Sequence, residues 1–226
     1  MVVFSFTNLA LAASLITSVF ASPVATPDPP DFELGPHNLA RRQDYTQNYK
    51  TGGKVNFTPT GKGFSVNFSG AQDFVVGKGW NTGSKNRTVN YSGQTKASSG
   101  TVLTALYGWS VDPLVEYYVQ DYSNNGKGAA QGQKVGSLTS DGSTYDIYKH
   151  TQVNQPSIQG TTTFTQYISR RTQDRSDGGT ITFANHVAAW EKAGMKLGQM
   201  RYQTIATEGW GNAGGNSKYT LSVLSK

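Results

Sequence analysis

The 226-residue chain contains no cysteine. Disulfides and thiolate metal sites are excluded together, so its fold must rest on packing and hydrogen bonds. Charge is also scarce, with only 15% of residues charged. Glutamate is rarest among these, occurring at Glu33, Glu116, Glu191 and Glu208 alone. Of the three histidines, His150 and His186 show no metal-ligand spacing and are read as structural; no metal or cofactor is expected. The net charge of +6 raises nucleic acid as a partner, but Arg170, Arg171 and Arg175 form the one basic cluster and no recognition motif accompanies them. The charge therefore reads as solubility with weak attraction to acidic polymers such as uronate-bearing polysaccharide.

Long hydrophobic runs are missing except near the start. Val2 to Phe20 is uncharged and holds the apolar run Leu9 to Ile16, followed by small residues suited to cleavage after Ala21. Residues 1–21 are thus expected to be a secretory signal peptide, too short for an ordinary membrane span. A proline-rich acidic stretch follows and ends at Arg41-Arg42, which marks residues 22–42 as a pro-peptide with a dibasic cleavage site. The product would be an extracellular protein free of the membrane, residues 43–226, with 184 residues in one domain. Asn-x-Ser/Thr sequons at Asn56, Asn67, Asn86 and Asn90 agree with that route.

What the mature part has in plenty is short alternating runs broken by Gly, Asn, Ser and Thr. They cover 54–57, 63–68, 73–76, 87–91, 102–109, 114–122, 144–148, 161–168, 200–207 and 219–223. Many short strands at this spacing predict an antiparallel sandwich or barrel. Thr182 to Ala193 breaks the pattern: Phe183, Val187 and Trp190 recur at helical spacing ahead of Gly194, so one helix is expected, with Trp190 in the core. The run Gly209 to Gly215 lacks the Lys-Ser/Thr of a phosphate loop and reads as a turn into the last strand. Phe64 and Phe68 are expected between the sheets. Tyr49, Tyr107, Trp109, Tyr118 and Tyr202 tolerate water at one end and suit sugar stacking as well as core capping.

Two strands carry the chemistry. On Leu114 to Tyr122, the period of two puts Glu116 and Tyr118 on one face and Val115, Tyr117 and Val119 on the other. On Tyr202 to Trp210, Tyr202, Thr204, Ala206 and Glu208 share a face. A lone strand Glu is usually solvated. Two of them among aromatics equip a cleft for glycoside hydrolysis, with one carboxyl to attack and one to pass a proton.

Several blocks then converge on a family. Asp73-Phe-Val-Val-Gly-Lys-Gly-Trp80, Tyr107-Gly-Trp109, Pro113-Leu-Val-Glu-Tyr-Tyr118, Ser140 to Tyr148, Asn154-Gln-Pro-Ser-Ile158, Ala184-Asn-His186 and Ala206-Thr-Glu-Gly209 resemble, in order, the signature blocks of glycoside hydrolase family 11 endo-1,4-β-xylanases. The resemblance implies an all-β jelly roll of two curved antiparallel sheets with one packed α-helix. It also implies a retaining mechanism on xylan, with Glu116 as nucleophile, Glu208 as acid/base and residues 154–158 as a thumb over the substrate.

By the same resemblance Tyr49, Tyr107, Tyr118, Pro156, Gln166 and Tyr202 bind substrate. Asp73 matches the position beside the acid/base and, together with Tyr45-Thr-Gln-Asn-Tyr49, resembles the acid-active fungal subgroup; an acidic optimum is expected. A monomer is implied, with plant xylanase-inhibitor proteins as partners. Gln152 departs from the pattern, standing where most members carry Arg, and an amide supplies fewer donors and no charge. A related jelly-roll endoglucanase and a non-catalytic carbohydrate-binding or elicitor protein are the alternatives.

Overall fold

The computed structural model describes residues 43–126 and 130–223; the expected signal peptide and pro-peptide lie outside the described residues. Among the described residues, ten strands and one helix follow in order: β1 Tyr45–Lys50, β2 Lys54–Thr60, β3 Gly63–Trp80, β4 Thr88–Val111, β5 Val115–Ser123, β6 Gln133–Ser140, β7 Ser143–Ser157, β8 Gly160–Arg171, β9 Gly178–Thr182, α1 Phe183–Lys192 and β10 Gln199–Val223. No helix among the described residues is long and apolar enough to cross a membrane.

The hydrogen-bonded order is β1-β3-β10-β4-β5-β8-β7-β6, with β2 added to β3 and β9 to β4. Every pair is antiparallel except β5–β8. The two expected sheets are therefore two layers of one hydrogen-bonded fabric. β3, β4 and β10, of 18, 24 and 25 residues, run through both layers. One layer holds β2, β9, the first parts of β3 and β4 and the last part of β10; the other holds everything else.

Strands that long must bend to wrap a core. The register of β10 slips against both neighbours between Trp210 and Gly215, where Gly211 and Asn212 take φ of +68° and +66°. Gly70 and Gly100 take φ of +58° and +64° on the flanking strands. A Cβ on Gly100 would come within 2.6 Å of the Ala213 Cα, so the backbones meet closely at this crease.

Six of the ten runs expected as separate strands merge pairwise into β3, β4 and β10, because glycine bends a strand here instead of ending it. The run Gly209 to Gly215 is accordingly a bend within β10 and not a turn leading into it. β1, β6 and β9 were not visible as strands, being short or polar.

Between the layers lies the main core, fed by inward positions of both: Phe64, Phe68 and Tyr219 from one, Phe74, Leu106 and Tyr117 from the other. Phe68 meets Phe74 at 4.8 Å between ring centroids. Helix α1 buries Phe183, Val187 and Trp190. The Trp190 indole donates to Ser169 Oγ at 3.0 Å. Gly194, at φ +73°, closes the helix with bonds from Gly194 N to Glu191 O and Met195 N to Trp190 O.

The arginine cluster is internal wiring. Arg171 donates to the Tyr145 hydroxyl at 2.8 Å, and Tyr145 and Tyr91 donate to the fully buried Asp121, which also pairs with Arg175. Tyr91 and Asp121 thereby tie one layer to the other.

Candidate active site

The alternation that sends Val115, Tyr117 and Val119 into the main core leaves Glu116 and Tyr118 on the opposite face of β5. That face belongs to a second apolar cluster with Tyr107 and Trp109 of β4, Phe164 of β8 and Ala206 of β10. Its surface is a cavity of about 350 Å³. All nine residues expected at the site line it: Tyr49 from β1, Asp73 from β3, Tyr107 from β4, Glu116 and Tyr118 from β5, Pro156 from the β7–β8 hairpin, Gln166 from β8, and Tyr202 and Glu208 from β10. Gln152 also reaches the wall.

Glu116 is buried and held by three donors. Its Oε1 accepts from the Tyr107 hydroxyl at 2.9 Å and the Tyr118 hydroxyl at 3.1 Å, while Oε2 accepts from Gln166 Nε2 at 2.8 Å. The Trp109 indole donates to Tyr107 at 2.8 Å, which aims that hydroxyl at the carboxylate. Glu208 is half-buried, and its Oε2 is buried without a hydrogen-bond partner.

This difference in donors separates the two acids. Burial raises the Glu116 pKa, and its bonds from Gln166, Tyr107 and Tyr118 oppose the rise. Glu208 is pushed well above the ordinary range by burial, then by the charges of Glu116 and Asp73. Burial also raises Asp73. Glu116 is therefore the first of the pair to ionise, and Glu208 keeps its proton. Tyr107 and Tyr118 are pushed well above 10, chiefly by burial and the Glu116 charge, and remain donors.

Three participants escaped the sequence reading. Tyr45 stacks on Tyr202 at 4.3 Å and 14°, extending the aromatic floor. Gln47 also lines the cavity. Both sit on β1, whose alternation is too weak to register as a strand. His150, read as structural, places Nδ1 2.9 Å from Gln166 Oε1. Only the β7–β8 register, which pairs His150 with Gln166, exposes that contact.

A curved sheet with paired carboxyls among tyrosines is the equipment of a glycoside hydrolase. The family model "Glycosyl hydrolases family 11" matches residues 41–219, and the chain belongs to that family. It is 51% identical over 191 residues to an endo-1,4-beta-xylanase 1 of Hypocrea jecorina, covering 83% of this chain and 82% of that protein. It is 45% identical over 217 residues to ethylene-inducing xylanase 2 of Botryotinia fuckeliana, covering 93% and 96%. A solved structure from a comparison of two major endo-1,4-beta-xylanases from Trichoderma reesei superposes with a TM-score of 0.76 at 50% identity, covering 80% of this chain and 99% of that one.

Proposed function

We propose that the chain is a secreted endo-1,4-β-xylanase that cleaves internal β-1,4-xylosidic bonds with retention of configuration. The shared cavity carries the stereochemical part of this reading. Glu116 and Glu208 line it together, and the charge of Glu116 helps to raise the pKa of Glu208. Carboxyls that repel each other across one cleft suit double displacement, in which one attacks while the other passes its proton at ~5–5.5 Å, without the wider gap in which inverting enzymes hold a water.

Glu116 attacks the anomeric carbon as the Glu208 proton moves to the departing glycosidic oxygen. In the glycosyl-enzyme the Glu116 charge is gone, so the repulsion that kept Glu208 protonated is relieved. Glu208 then takes a proton from water as that water attacks C1 and frees Glu116. The stacked Tyr45 and Tyr202 supply a platform for a sugar ring.

Asp73 and Glu208 titrate as a coupled pair, and the productive form carries a proton on each while Glu116 is ionised. Asp73, with the smaller upward shift, gives up its proton first, so the alkaline limb falls at acidic pH. Asp73→Asn is expected to move that limb upward. An unchanged limb overturns the reading; a downward move means that Asp73 acts only by its charge on Glu208.

The deciding experiment is product analysis on xylan and on soluble cellulose with Glu116→Gln as control. Short xylo-oligosaccharides from the parent alone, released first as the β-anomer by NMR, are expected. Cleavage of cellulose in preference to xylan would make it an endoglucanase, and α-anomer first would rule out retention. Elicitation is a second reading, favoured by the relative named an ethylene-inducing xylanase. Ethylene release from plant tissue treated with inactive Glu116→Gln would separate it from catalysis.

A further inference from the structure

His150 sits on β7 across from Gln166 of β8, on the cleft face of the sheet between Tyr148 and Gln152. Its Nδ1 lies 2.9 Å from Gln166 Oε1, and Gln166 Nε2 lies 2.8 Å from Glu116 Oε2. The chemistry of the three groups fixes the direction of the chain. An ionised carboxylate only accepts, so the amide must turn its NH₂ toward Glu116. Its oxygen then faces His150, and an oxygen needs a donor. His150 must therefore carry its proton on Nδ1.

We infer that His150 is a positioning residue, donating from Nδ1 to lock the Gln166 amide so that its NH₂ group stays aimed at the nucleophile Glu116. With the opposite tautomer, two lone pairs would meet at 2.9 Å and the amide would turn over, presenting oxygen to a carboxylate. Because β7 continues through His150 into the hairpin that bears Pro156, the same strand that covers the substrate sets the donor that steadies the attacking group. The inference rests on Glu116 as nucleophile.

The groups facing Glu116 are Tyr107 of β4, Tyr118 of β5, Gln166 of β8, and, through their charges, Asp73 of β3 and Glu208 of β10. Of these only Gln166 is in hydrogen-bond contact with His150. Loss of the His150 donor should thus reach Glu116 by that one route.

Three substitutions test it. An Asn amide can take the place of Nδ1, a Gln amide that of Nε2, and Leu offers no donor. His150→Asn is expected to keep kcat within about twofold of the parent. His150→Leu and His150→Gln are expected to lose about tenfold, the scale of one charge-assisted hydrogen bond felt in the transition state, with KM nearly unchanged. The acid limb of kcat/KM should rise in the Leu and Gln variants, because Glu116 loses a donor to its charged form.

The same loss should appear on a nitrophenyl β-xylobioside, whose good leaving group spares a defective general acid but not a disturbed nucleophile. Parent-like kcat in both Leu and Gln variants, or an Asn variant as poor as Leu, overturns the inference. Should the Leu protein not fold, the Asn–Gln contrast decides alone. An active Glu116→Gln enzyme would instead sink the underlying assignment, a distinct outcome.

Discussion

Tyr107 shows how much of the site is decided side chain by side chain. Its hydroxyl accepts a hydrogen bond from the Trp109 indole N–H and donates one to Glu116, so it is satisfied on both sides. Tyr107→Phe leaves the buried indole without that acceptor and Glu116 with two donors. The pKa of Glu116 should then rise, shifting the acid limb of kcat/KM to higher pH, with a rate loss of about tenfold. A pH–rate profile on soluble xylan checks it, and an unmoved limb would mean the phenol only fills space. Glu116, Tyr118 and Glu208 were legible in the sequence because period-two alternation assigns a face without knowledge of partners. His150 was not, since its role depends on which residue of β8 lies opposite, and register is a property of two strands.

Strand curvature is the element-scale counterpart. The crease at Gly70, Gly100 and Gly211 to Gly215 lets β3, β4 and β10 leave one layer and enter the other. Gly100 offers a direct test, since a side chain there meets both an unfavourable φ and the Ala213 backbone. Gly100→Ala should cost about 1–3 kcal/mol. Urea unfolding should give a lower midpoint with the slope preserved; an unchanged midpoint would show that the crease does not need glycine. These bends misled the sequence reading, because a glycine cluster looks alike whether the strand stops or turns. Helix α1 was legible almost to the residue, since its three apolar anchors and Gly194 are local signals.

At the scale of the whole molecule, acid acts on stability in two opposed ways. His186 is fully buried on α1, edge-on to Tyr145 at 4.7 Å, and burial pushes its pKa down to about 3. Unfolded, it takes up a proton below about pH 6.5. Its contribution is therefore complete above that value and drains away as pH falls toward 3, by up to ~1.4 kcal/mol per pH unit. The raised carboxyls Asp73, Glu116 and Glu208 work the other way, favouring the fold below about pH 4 and losing that as pH rises. His186→Phe should remove only the first effect. The slope of unfolding free energy between pH 6 and 4.5 should differ from the parent's by about 1 kcal/mol per unit; parallel slopes would exclude His186 as the source.

The position of β10 has a consequence for biosynthesis. The last strand in chain order lies between β3 and β4 along nearly its full length and carries Glu208. Until it emerges, β3 and β4 have no shared partner and their facing edges stay open to other chains. Assembly cannot finish vectorially as the polypeptide appears. The nascent protein must wait as two separately paired groups, β1 to β3 and β4 to β9, for β10 to thread between them, and sheltering those two edges during the wait is the task this topology leaves to the cell.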